Sequence, residues 1–219
     1  MWQAQVFTLY PEVFPGPLSK GLYGKALSNN LWKLKVVNIR DAADDKHKTV
    51  DDTPYGGGSG MLLKADVLAK SLDENKNESE RILYLSPKGK KFDQNLANEL
   101  ANEKSLSLIC GHFEGVDERI LSTRNIEEIS IGDYVLSGGE SAAYVVIDSI
   151  LRLLPGVLGN ENSKLDETFE NSLLEYPQYT KPQIWEEKAV PDVLLSGDHN
   201  KIKRWRLSQS EAITRDRRP

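Results

Sequence analysis

Residues 82–115, ILYLSPKGKKFDQNLANELANEKSLSLICGHFEG, decide the fold. The stretch opens on one apolar run, residues 82–85, and closes on another, residues 106–110. Each is followed by a glycine-bearing turn: Ser86-Pro87-Lys88-Gly89 after the first, Gly111-His112-Phe113-Glu114-Gly115 after the second. Short continuous apolar runs bounded by turn residues suit strands buried on both faces. Between them Phe92, Leu96 and Leu100 stand four residues apart, one face of a helix over residues 92–103. Strand, helix and strand in this space are the repeating unit of a parallel sheet.

The same texture extends outward. Residues 2–9 read as a strand, and residues 31–39 alternate Trp32, Leu34 and Val36 with Lys33 and Lys35. After Gly139 a long helix places Ala143, Val146, Ile147, Ile150, Leu151 and Leu154 on one stripe and stops at Pro155-Gly156. The expectation is an α/β fold with a mostly parallel sheet over residues 1–157. Residues 158–168 turn polar and lose all periodicity, which predicts a flexible linker. Residues 169–219 hold Pro177, Pro182 and Pro191, no convincing strand, and a helix after Asp198 carrying Ile202 and Trp205. They are expected to form a small α-helical C-terminal domain.

Composition narrows the function classes. At 219 residues the chain needs no disulfide or metal staple to bury a core, and 39% hydrophobic with 28% charged residues is ordinary for a globular protein. One cysteine, Cys110, excludes an intrachain disulfide framework and fits a reducing, cytoplasmic setting; three scattered histidines make a zinc site improbable. No apolar run approaches the 18 or so residues of a membrane span, and the first residues lack the basic start of a secretory signal. Net charge is −5, but residues 201–219 carry +5 and leave −10 on the first 200. Lys201, Lys203, Arg204 and Arg206 make the densest part of that basic tail, a candidate polyanion contact or simply a solvated helix face.

Several common catalytic signatures are missing: there is no G-x-x-x-x-G-K-[ST], no G-x-G-x-x-G after the first strand, no G-x-S-x-G and no H-E-x-x-H. What remains is glycine at strand ends, in the two turns above and in residues 131–140, IGDYVLSGGE. Open α/β sheets bind ligands at the carboxyl ends of their strands, where glycine lets the backbone approach closely. Three such loops could converge on one flat, hydrogen-bonding ligand such as an adenine, though each taken singly is more often an ordinary turn. A fourth glycine cluster, residues 55–61 (YGGGSGM), is either a flexible lid or a phosphate nest.

At these loops the chain resembles the bacterial tRNA (guanine-N1)-methyltransferases of the SPOUT class. The likeness runs nearly end to end, through residues 7–14 (FTLYPEVF), 38–41 (NIRD), 51–61 (DDTPYGGGSGM), 84–89 (YLSPKG), 111–119 (GHFEGVDER), 131–140, 155–159 (PGVLG), 176–182 (YPQYTKP) and 194–206 (LLSGDHNKIKRWR). Nine segments in order are specific where each alone is weak. The resemblance implies a methyl transfer from S-adenosyl-L-methionine to N1 of the guanine immediately 3′ of the anticodon. It implies a trefoil-knotted cofactor site made by Tyr84, Leu85, Ser86, Gly89, Gly111, Glu114, Gly115, Ile131, Gly132, Asp133, Tyr134, Val135, Leu136, Gly138 and Gly139. It also implies a homodimer with active sites at the subunit interface and a second domain that grips tRNA; no residue is assigned as a metal ligand.

The chain departs from the family pattern in places. The family commonly has proline where Ser59 stands and Arg-Tyr or similar where His112-Phe113 stand. Its catalytic Asp-Ser-Phe is matched here by Asp166-Glu167-Thr168-Phe169, and counting without gaps from Arg152 and Pro155 puts Glu167 on the aspartate. The implied proton acceptor is therefore Glu167 ahead of Asp166, and the implied partner for charge developing on guanine O6 is Arg152. On residue pattern alone Arg152 reads as an i, i+4 surface pair with Asp148.

Overall fold

The computed structural model describes residues 1–76, 81–158 and 173–218. The chain divides into two compact units, Met1–Gly159 and Asn160–Pro219.

The first unit is built on a sheet of five parallel strands, β1 (Trp2–Thr8), β2 (Trp32–Asn38), β5 (Arg81–Lys91), β6 (Ser105–Cys110) and β7 (Glu127–Ser130), in the order β2-β1-β6-β5-β7. Two-residue strands β3 (Asp51–Asp52) and β4 (Leu62–Leu63) pair antiparallel beside it. The central strands bury both faces, and their side chains sort by the two-residue period of a strand. Trp2, Ala4 and Val6 of β1, Leu83 and Leu85 of β5, and Leu106, Leu108 and Cys110 of β6 fill one core cluster. Phe7, Tyr84 and Ile109, the intervening residues, fill the other.

Helices cover both faces. Helix α1 (Gly21–Ser28), α3 (Gln94–Ala101) and α5 (Glu140–Leu151) pack on the first cluster, with Leu96, Leu100, Ala143, Val146, Ile147, Ile150 and Leu151 buried. Helix α2 (Ala65–Glu74) and α4 (Glu118–Thr123) pack on the second through Val67, Leu68, Leu72, Ile120 and Leu121. The expected strands at residues 2–9, 31–39 and 106–110 and the helices at residues 92–103 and after Gly139 all appear, within a few residues at their ends. The long helix stops at Leu151, and residues 152–157 continue as turns.

Strand β5 runs further than its apolar residues suggest. Ile129 of β7 faces both Leu85 and Lys90, so the intervening residues leave the ladder and rejoin it. Such a bulge re-aims side chains and bends its strand. Gly89 makes it possible: a Cβ there would stand 2.3 Å from the Ile129 nitrogen and 2.4 Å from the Glu128 carbonyl carbon.

In the second unit, β8 (Ile184–Trp185) and β9 (Lys188–Ala189) form a two-residue hairpin, which corrects the expectation of no strand there. Its turn residues Glu186 and Glu187 both hold positive φ without the glycine or asparagine that normally signals such a turn. Helix α6 (Asp192–Leu195) and helix α7 (His199–Arg217) follow, α7 capped by Asp198, whose carboxylate accepts from the backbone N–H groups of Asn200 and Lys201. The linker expected at residues 158–168 lies, from residue 159 onward, outside the described residues.

Because backbone rather than a pliable side chain faces Gly89, Gly89→Ala is expected to cost about 1–3 kcal/mol of stability. Urea denaturation of the two proteins measures it. A change below about 0.5 kcal/mol, the usual surface value, contradicts the tight bulge.

Candidate active site

The bulged middle of β5 and the carboxyl ends of β6 and β7 open into one cleft of about 500 Å³. Tyr84, Leu85 and Ser86 come from the middle of β5, where its bulge begins, and Gly111, Glu114 and Gly115 from the loop after β6. Ile131, Gly132, Tyr134, Val135, Leu136, Gly138 and Gly139 come from the loop after β7. The three glycine turns thus meet in space, as expected of strand-end loops in an open sheet. Gly89 and Asp133 do not line the cleft; Gly89 is spent on the close approach to β7.

The chain leaves edge strand β7 and returns over the end of β6. There Gly139 sits directly on the loop after β6: its N–H donates to the Gly111 carbonyl at 2.9 Å, and a Cβ would stand 2.6 Å from the Cys110 Cα. Gly139 is also the N-cap of α5, so this contact fixes where that helix starts. A Gly139→Val change therefore strikes the fold as well as the cleft, which disqualifies it as a clean probe of ligand binding.

The cleft is part apolar and part acidic. Leu85, Ile129, Ile131, Leu136 and Ala142 give apolar lining, while Glu114, Glu118, Glu128 and Lys88 add charged groups. Tyr84 lies 7% exposed in the floor, against Gly111, with no hydrogen bond to its hydroxyl among the described residues. Burial first, then the carboxylates of Glu128 and Glu118, push its pKa up to about 12. The hydroxyl therefore stays a neutral donor across ordinary pH. At the rim Val135 is 85% exposed, Tyr134 53% and Phe113 49%, with Phe113 in the left-handed region at φ 59°. Strain of that kind costs on the order of 1–3 kcal/mol and gathers at functional sites.

One constellation is new to the structure. His112 Nε2 lies 2.8 and 2.9 Å from the two carboxylate oxygens of Glu140, and the Thr8 hydroxyl donates to the same carboxylate at 2.5 Å. The three residues stand far apart in sequence, and no local pattern announces them.

Arg152 does not line this cleft. It caps the far end of α5, and twelve helical residues put it roughly 18 Å along the axis from Glu140. There Asp148 accepts from the Tyr23 hydroxyl, and Arg152 also bonds that hydroxyl. Burial first, then Asp148, raises the Tyr23 pKa to about 12, with Arg152 opposing. Asp166 and Glu167 lie outside the described residues.

The basic residues of α7 divide. Lys201, Lys203 and Arg204 are exposed, Lys201 within 3.4 Å of Asp198. Arg206 is half-buried, its guanidinium 4.8 Å from the Tyr176 ring centroid and its Nε buried without a partner among the described residues. Arg206 therefore packs the second unit.

A cleft beside the carboxyl ends of parallel strands, with close backbone approaches, is the place where open α/β proteins bind their ligands. A family model described as tRNA (Guanine-1)-methyltransferase TrmD matches residues 2–219. A tRNA (guanine-N(1)-)-methyltransferase of Pelagibacter ubique is 83% identical over 219 residues, all of this chain and 96% of its own length. Counterparts from Bartonella tribocorum and Brucella canis are 56% and 55% identical over 218 residues, covering 94% and 89% of their own lengths. The chain belongs to the TrmD family of tRNA (guanine-1)-methyltransferases.

For the basic tail, Arg206→Ala is expected to destabilise the protein by about 0.5–2 kcal/mol through the lost cation–π contact. Lys203→Ala is expected to stay within about 0.5 kcal/mol. Thermal melts of the two variants check this, and equal melts would place Arg206 on the solvated face with its neighbours.

Proposed function

We propose that this protein is a cytoplasmic enzyme that transfers a methyl group from S-adenosyl-L-methionine to N1 of the guanine immediately 3′ of the anticodon in tRNA. The observation that carries the reading is the meeting of three strand-end loops in one cleft, in a chain of this family.

The residues fit the cofactor. About 500 Å³ is within the range of small-molecule sites, the apolar walls suit a flat adenine, and backbone groups of glycine turns suit its edges. Glu114, Glu118 and Glu128 suit a ligand bearing positive charge. The bound cofactor supplies an electrophilic methyl carried on a sulfonium. Tyr84, Leu85, Ser86, Gly111, Glu114, Gly115, Ile131, Gly132, Tyr134, Val135, Leu136, Gly138 and Gly139 hold it, with the loops after β6 and β7 threaded as a trefoil knot.

Guanine N1 bears a proton at neutral pH and is a poor nucleophile until that proton leaves. A carboxylate from the linker, Glu167 ahead of Asp166, accepts it, a contribution of typically 10²- to 10⁴-fold. Arg152 donates to O6 as negative charge grows there. Arg152 stands about 15 Å along α5 from Ala142 in the cleft wall of its own chain, which favours a homodimer in which one subunit's Arg152 and linker serve the other's cleft. The exposed apolar residues Tyr10, Val13, Val145 and Phe113 supply surface for such an interface. The second unit, through Lys201, Lys203 and Arg204, holds RNA phosphates.

The test is incubation with methyl-labelled S-adenosyl-L-methionine and tRNA, followed by location of the label, with Glu167→Gln and Asp166→Asn run in single turnover. Label is expected on guanine N1 beside the anticodon, with Glu167→Gln slower by roughly 10²- to 10⁴-fold and Asp166→Asn much less affected. No label, or label on another base, rejects the reading. The reverse ranking of the variants moves the proton acceptor to Asp166.

A further inference from the structure

His112 lines the cleft and Glu140 stands behind it, and the pair is not used by the chemistry above. Both side chains are largely buried, 13% and 14% exposed. An ionised carboxylate only accepts hydrogen bonds, so Nε2 carries the hydrogen that faces Glu140. Glu140 is the first residue of α5, where unpaired backbone N–H groups favour a carboxylate. Its other donor is Thr8, at the end of β1. The Tyr10 N–H donates to the Thr8 hydroxyl at 2.9 Å, and the Tyr10 ring meets the imidazole edge-on with centroids 5.0 Å apart. The imidazole is thus held from two sides.

What it presses on is the cofactor loop. A Cβ at Gly138 would stand 2.4 Å from His112 Cε1 and 2.6 Å from a Glu140 carboxylate oxygen. Gly138 therefore lies flat against the ring, one residue before the Gly139 N–H that bonds Gly111. The ring is a spacer between the loop after β6, which carries it, and the turn that closes the cleft before α5. Rigid side chains locked by neighbouring hydrogen bonds are how proteins hold binding loops to within about half an ångström.

We infer that His112, locked by Glu140 and Thr8, is a positioning residue that sets the Gly138–Gly139 turn for cofactor binding. The inference rests on the reading of the cleft as the S-adenosyl-L-methionine site. A residue of this kind acts on cofactor affinity and leaves the methyl-transfer step nearly alone. The bond to Glu140 needs one N–H at the Nε2 position, which glutamine also supplies and leucine does not.

The experiment is calorimetric titration of the full-length protein with S-adenosyl-L-methionine, with steady-state kinetics on tRNA, for wild type, His112→Leu and His112→Gln. His112→Leu is expected to raise the cofactor Kd and KM on the order of ten- to a hundredfold, as for loss of a hydrogen bond to a charged group, with kcat within about threefold. His112→Gln is expected to recover most of that loss. Wild-type affinity in His112→Leu, equal weakness in both variants, or a fall in kcat at unchanged KM each overturns the inference. Should His112→Leu fail to fold, Glu140→Gln keeps the shape and removes the charge. About a three- to tenfold rise in Kd is then expected, and unchanged affinity overturns the inference. A wild-type protein that binds no S-adenosyl-L-methionine fails the functional reading itself, a result distinct from any of these.

Discussion

The structure depends on one backbone contact, Gly139 resting on the chain at Cys110 and Gly111. The approach is closer than any side chain permits, and a single 2.9 Å hydrogen bond joins the two loops. It brings the segment that leaves edge strand β7 back over the middle of the sheet. The start of α5 follows from it, and with that start the burial of Ala143, Val146, Ile147 and Ile150 against the core. The cleft follows too, because its third wall is the segment that this contact anchors. Protein interiors are packed densely enough that a methyl group at such a point has nowhere to go. The same rule governs Gly89, which lets β5 bulge and lift Ser86 to the cleft.

Most of the sheet was legible in the sequence because the central strands are apolar on both faces and the alternation is plain in β2. β7 was not: its sequence, EEIS, holds a single large apolar residue, and only its place beside β5 makes it a strand. The polar second half of β5 was missed because its pairing comes from the bulge and not from its side chains. Helix α2 carries Val67, Leu68 and Leu72 at helical spacing, a pattern present in the sequence but left unread. The hairpin at residues 184–189 was hidden because its apolar residues are exposed and its turn uses two glutamates.

The site divides along the same line. Glycine at strand ends is a local signal, so the loops could be found and their convergence expected. Both Gly89 and Gly111 are closely packed, and only the folded chain shows that Gly111 lines the cleft while Gly89 faces β7. The His112–Glu140–Thr8 constellation draws on three segments that only the sheet brings together. Arg152 shows the converse: sequence likeness assigns it to the chemistry, while the length of α5 carries it away from the cleft of its own chain.

That separation is the account's central claim: in the homodimer proposed above, cleft and chemistry lie on different subunits. Mixing two inactive variants tests it. Arg152→Ala is expected to remove the chemistry and keep the cleft, and Leu136→Arg to set a cation in the exposed wall of the cleft and keep the chemistry. Dimers of the two variants contain one site with both lesions and one with neither. After dissociation and reassociation at equal concentrations, methyl transfer is expected to recover to about a quarter of the wild-type rate. A mixture no more active than its components would contradict the account and place Arg152 with its own cleft.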